Sequence, residues 1–139
     1  VGDLIKQLKI DEGYSEVPYV DSEGFKTIGF GHKLLSNEPI PSKEKLEEIF
    51  NKDIGVAKDD YNSQSPNFKT RLNPSRQRAV TNMLFNLGRG NFKGFVNFKA
   101  AVVKGDFETA SKEMLNSKWA RQVGDRATRL AETMRTGVD

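Results

Sequence analysis

The chain of 139 residues contains no cysteine and one histidine. Disulfides and thiolate metal sites are thereby excluded, and a single imidazole leaves a transition-metal site short of nitrogen ligands. No metal or other cofactor is expected. No apolar run approaches the roughly 20 residues that span a bilayer. The opening stretch VGDLIKQLKI has the spacing of an amphipathic helix, not the layout of a secretory signal. The expectation is a chain with no membrane span and no export signal. Beginning at Val, it fits a processed product or a domain cut from a longer one. What is present, 36% hydrophobic and 29% charged residues, suits one globular domain with an ordinary core.

The net charge of +3 conceals an asymmetry. Residues 1–69 carry nine Lys/Arg against thirteen Asp/Glu, and residues 70–139 carry thirteen against six. A basic half of this kind suits an anionic partner, whether nucleic acid, membrane surface or cell-wall polymer, and is equally the pattern of a solvated helical surface.

Leu4, Leu8 and Glu12 recur every four residues, with Ile5 beside them, so a helix over this stretch carries a carboxyl on its own apolar stripe. Gly13 stops that helix. Strands are predicted at about 17–21 and 25–30, joined by the turn Asp21-Ser22-Glu23-Gly24. Gly29 and Gly31, flanking Phe30, predict that the chain passes closely under something bulky. After a proline-stiffened connector, Ser42 is expected to cap a helix with Leu46, Ile49, Phe50 and Ile54 on its apolar face. Residues 62–72 read as a loop or hinge. Asn73-Pro74 opens a helix in which Ala79, Val80, Met83, Leu84 and Leu87 face the core, with Gly88 as its stop. Residues 89–94 read as a glycine-rich turn, 95–104 and 106–116 as short helices, Trp119 as part of a connecting turn, and Asp125 as the cap of a last helix. The elements describe an α+β chain, mostly α.

Cleaving a glycosidic bond requires a proton for the leaving oxygen and, on the other side, an activated water or a nucleophile. A carboxyl held against apolar surface keeps its proton more readily than one on a solvated turn. Glu12 suits the acid role and Asp21 the ionised one. Thr27, on the opposing arm of the hairpin, has a hydroxyl that can hold a water. The rival reading of Glu12 is a helix-terminal carboxylate in a structural ion pair.

The run from Glu12-Gly13 through Tyr19-Val20-Asp21 to Thr27-Ile28-Gly29-Phe30-Gly31-His32 resembles the catalytic segment of the phage-type lysozymes, T4-like glycoside hydrolases. The likeness continues through Asn82-Met83-Leu84-Phe85-Asn86-Leu87-Gly88, Gly94-Phe95, Ser117-Lys118-Trp119, Arg126 and Arg135-Thr136-Gly137, and so covers nearly the whole chain. It implies a two-lobed lysozyme-like fold: a small lobe over about 13–61 with hairpin and connecting helix, a helical lobe from about 1–12 plus 73–139, and a cleft between. It also implies a muramidase cutting the β-1,4 link between N-acetylmuramic acid and N-acetylglucosamine in peptidoglycan, by inversion. By position, Glu12 is the general acid, Asp21 positions or deprotonates water, and Thr27 holds that water. Phe85 and Asn86 match cleft-lining positions, and Arg126 matches an arginine that orients the catalytic Glu. Lys33, Phe98 and Glu113 stand at substrate-contacting positions where T4-type enzymes carry other residue types, and the segment 34–42 is shorter. Phe98 is thus a candidate sugar contact, although aromatics at helical spacing usually serve the core. His32 is assigned a structural role, with Asp53 on the next helix as its candidate partner.

The implied partner is peptidoglycan glycan strands, met by a monomer made in the host cytoplasm and acting on the wall from the periplasm or from outside. Two rivals remain. A lytic transglycosylase needs one acidic residue and releases an anhydro-sugar. A helical nucleic-acid-binding module is suggested by the basic half alone, but no recognition motif accompanies it, and the acidic first half opposes it.

Overall fold

A computed structural model describes residues 3–20, 24–30, 32–35 and 37–139, without the side chain of Glu16. The predicted turn residues Asp21, Ser22 and Glu23, and Gly31, lie outside the described residues. Two compact units are distinguished: Ile5–Gly55, and Val1–Leu4 with Val56–Asp139.

In the first unit, helix α1 (Leu4–Glu12) ends where Gly13 takes φ +63° and its N–H donates to the Lys9 carbonyl at 3.1 Å. Strands β1 (Ser15–Val20), β2 (Lys26–Gly29) and β3 (His32–Lys33) follow as an antiparallel sheet in that spatial order. The sequence predicted the first two. Tyr19 pairs with Thr27 and Val20 with Lys26, and the register is irregular between Ser15 and Tyr19. Pro18 sits in that irregular stretch of an edge strand, where a missing N–H costs no ladder bond.

Gly29 passes against Leu46 as predicted. It has φ +67°, and a Cβ there would lie 2.8 Å from Leu46 Cδ2, so both backbone conformation and space demand glycine. Leu46 belongs to α2 (Lys43–Asn62), whose first turn is capped by Ser42 Oγ accepting from Lys45 N at 3.2 Å. Leu46, Phe50 and Ile54 are buried with Leu8 and Ile28. Phe30 lies with its ring centroid 4.8 Å from Tyr14 and 4.7 Å from Phe50, and Lys9 pairs with Glu47 at 2.9 Å.

The second unit holds a core from Phe68, Val80, Met83, Leu84, Phe92, Phe98, Val102, Met114, Trp119, Leu130 and Met134. Its helices after α2 are α3 (Pro66–Lys69), α4 (Pro74–Leu87), α5 (Arg89–Phe92), α6 (Val96–Val103), α7 (Phe107–Leu115), α8 (Lys118–Val123) and α9 (Asp125–Thr136). α4 begins as predicted, with Pro74 at the first position and Asn73 Oδ1 accepting from Arg76 N at 2.9 Å. Three segments expected to be irregular are short helices, α3 in 62–72, α5 in 89–94 and α8 around Trp119. Each buries one aromatic, Phe68, Phe92 and Trp119 respectively, so packing orders segments too short to show a period. At α9 the cap position is Gly124, and Asp125 stands in the first turn, where its charge complements the helix dipole.

Candidate active site

Glu12 is the last residue of α1 and is half-buried. The glycine turn after it sends the chain directly into β1, so the carboxyl is fixed at the junction of helix and sheet. Thr27 lies on the central strand, paired with Tyr19 on one side and Lys33 on the other, and is only 2% exposed. Its hydroxyl donates to the Phe25 carbonyl at 3.0 Å, which fixes the rotamer of a side chain already restricted by β-branching. β1 ends at Val20, the residue before Asp21. Asp21 itself is among the residues that the structure does not describe. Lys33 is exposed, and its ammonium lies 4.4 Å from the centroid of the Phe25 ring.

His32 has an unanticipated partner. Its Nε2 lies 2.8 Å from Glu38 Oε2, while Glu38 Oε1 accepts from Leu35 N at 3.1 Å. The Leu35 N–H, with the His32 ring next, holds the Glu38 carboxyl below its ordinary range. Asp53 is close enough to feel the His32 charge, but burial is the larger influence and pushes its carboxyl up. Asp53 was the expected partner, whereas the hydrogen bond of the ring is to Glu38. No periodicity ties a connector residue to a strand six positions earlier.

In the other unit, Phe85 is half-buried and Asn86 exposed on the last turns of α4. Asn86 Oδ1 accepts from Trp119 Nε1 at 2.6 Å, which orients the amide and ties α4 to α8. Arg126 at the start of α9 donates from Nε and a terminal nitrogen to Asn82 Oδ1, at 3.0 and 2.9 Å. Asn82 is 1% exposed and therefore a rigid acceptor for the guanidinium. It was a legible signal: an amide between Thr81 and Met83, on a helix otherwise apolar at this level, has to satisfy a buried hydrogen bond. Phe98 is 1% exposed, its ring centroid 6.1–6.3 Å from those of Phe92, Phe68 and Phe95. Its ring belongs to the aromatic core and presents almost no surface.

The phage lysozyme family model matches residues 9–135. The chain is similar to a protein named probable T4-type lysozyme 1 of Dictyostelium discoideum, with 30% identity across 99% of this chain and 96% of that protein. It is 31% identical to the endolysin of Salmonella phage P22 over 65% of this chain and 64% of that one. A third likeness is to the pre-baseplate central spike protein Gp5 of Enterobacteria phage T4, with 28% identity over 96% of this chain but only 28% of the spike protein. Among the described residues no helix is long and apolar enough to cross a membrane. With the mostly helical fold, the small antiparallel sheet and a family match that includes both Glu12 and Thr27, the chain belongs to the phage lysozyme family and is a lysozyme-type glycosidase.

Proposed function

We propose that this peptidoglycan hydrolase cleaves the β-1,4 bond between N-acetylmuramic acid and N-acetylglucosamine in one inverting displacement. The observation that carries the reading is Glu12 itself, a half-buried carboxyl at the end of a helix, leading through a glycine turn into the strand that pairs with buried Thr27. Glu12 protonates the leaving oxygen. Asp21 takes the proton of an attacking water, whose other hydrogen is held by Thr27 Oγ1. The water oxygen attacks the anomeric carbon from the face opposite the departing sugar, so the configuration inverts. Asn82 steadies the Arg126 guanidinium, and Phe85, Asn86 and Lys33 contribute to substrate binding.

Glu12→Gln keeps the shape but has no proton to give. It should lower the lytic rate by about 10²–10⁴-fold, the usual contribution of a positioned acid, with thermal stability retained. Asp21→Asn decides the rest of the mechanism. Loss of hydrolysis fits water activation; wild-type rates with 1,6-anhydro products would replace this mechanism by a transglycosylase. Turbidity clearing of permeabilised Gram-negative cells and mass spectrometry of the released sugars read both outcomes.

A further inference from the structure

The segment 61–105 contains eight Lys/Arg and no Asp or Glu. An open groove of about 530 Å³ lies within it, lined by Ser65 and Phe68 at α3 and by Lys99, Ala100, Val103 and Lys104 at α6. We propose that this groove binds phosphate groups of a phosphorylated envelope glycan, the oxygens meeting the Lys99 and Lys104 ammonium groups and the sugar lying along Ala100 and Val103.

Lys99 lies 4.7 Å from the centroid of the Phe92 ring, half-buried, and no carboxylate pairs with it among the described residues. Burial, with Lys93 nearby, holds its ammonium below the ordinary lysine range. An ammonium partly stripped of water and lacking a counter-ion gains more from an arriving anion than a solvated one does. Lys104 has Asp106 in its field, but the Asp106 oxygens accept from Thr109 N at 3.1 Å and Thr109 Oγ1 at 2.7 Å. Ser63 and Gln64, also in the lining, donate to the Asp60 carbonyl at 2.7 and 3.0 Å, which leaves the Ser65 hydroxyl as the polar group beside the lysines.

Val103 borders a second depression of about 410 Å³, lined by Asn67, Thr70 and Arg71. A further cation, Arg71, thus adjoins the groove, as suits a polymer that carries more than one phosphate. Apolar Ala100 and Val103 suit the carbon face of a sugar, whereas a bare phosphate would use only the charges. The choice of an envelope glycan rests on the wall-lytic reading above.

The test follows backbone amides of the full chain by nuclear magnetic resonance during titration with glucose 1-phosphate, inorganic phosphate, glucose, or phosphatidylglycerol vesicles. Saturable shifts at Ser65, Ala100 and Lys104 are expected with glucose 1-phosphate, about tenfold tighter than with inorganic phosphate and absent with glucose. Lys99→Gln with Lys104→Gln should abolish them. The same double variant should slow digestion of phosphate-bearing walls by about threefold or more at low salt and leave the rate unchanged on a soluble oligosaccharide of alternating N-acetylmuramic acid and N-acetylglucosamine whose lactyl carboxyls are amidated to neutrality. Equal affinity for inorganic phosphate, binding retained by the double variant, or a response to vesicles without one to the sugar phosphate would overturn the proposal. Glu12→Gln protein should bind glucose 1-phosphate like the parent, so failure of the groove and failure of the glycosidase reading give different results.

Discussion

Glu38 joins the connector to the sheet through two contacts, His32 Nε2 at 2.8 Å and Leu35 N at 3.1 Å. Because these hold its folded pKa below the ordinary value, its contribution to stability is complete above about pH 4.3 and is lost as pH falls through the folded pKa. Asp53 works in the opposite sense. Its pKa is raised chiefly by burial, so its contribution is present below about pH 3.9 and is lost as pH rises through the folded pKa. Glu38→Gln should therefore flatten the acid limb of the stability curve, while Asp53→Asn should stabilise the protein at neutral pH by removing a poorly solvated charge. Urea midpoints measured from pH 3 to about 7.5 check both; parallel curves for parent and Glu38→Gln would remove Glu38 from this role. At this scale the sequence disclosed residues that break a pattern. Glu12 stood out because a carboxyl occupied an apolar stripe, and Gly29 because close approach needs a residue without Cβ. Glu38 stayed hidden because its partner is set by the fold of a short connector; Asn82 was legible as a buried amide, but its partner Arg126 was not, because an amide discloses no partner until the helices pack.

At the scale of elements, the start of α4 and the end of α9 cap one another. Asn73 Oδ1 accepts from Arg76 N at 2.9 Å, its Nδ2 donates to the Gly137 carbonyl at 3.0 Å, and Arg76 Nε donates to the Met134 carbonyl at 2.8 Å. One side chain thus serves the orphan groups of two helix ends. Asn73→Ala should cost about 1–2 kcal/mol, from the lost cap and the lost carbonyl bond together. Asn73→Asp retains the cap acceptor but has no Nδ2 donor and should cost less. By chemical denaturation, an Asn73→Asp variant as stable as the parent would show that the Gly137 bond contributes nothing, and equal losses in the two variants would show that the cap contributes nothing. The α4 start was legible because Asn-Pro is a local signal, as were the two-strand hairpin and the Ser42 cap. α3, α5 and α8 were not: four to six residues give no period, and their order comes from burying Phe68, Phe92 and Trp119.

For the molecule as a whole, the charge asymmetry seen along the chain coincides with its division into units. The unit Ile5–Gly55 carries seven Lys/Arg against ten Asp/Glu, and the remaining residues carry fifteen against nine. An anionic wall therefore meets two units of opposite net sign, and the basic one dominates the long-range attraction. Salt shortens the reach of such a field, from about 10 Å at 0.1 M to about 3 Å at 1 M. Hydrolysis itself, once substrate is seated, depends on short contacts that screening weakens far less. The rate on whole anionic walls should thus fall by roughly threefold or more between low and high salt, while the rate on a soluble muramic acid–glucosamine oligosaccharide with its lactyl carboxyls amidated to neutrality changes little. Parallel initial-rate measurements on the two substrates across that range separate encounter from chemistry: a common decline would place the salt effect on the enzyme's own stability or site, and only a selective decline on walls would assign it to electrostatic capture by the basic unit.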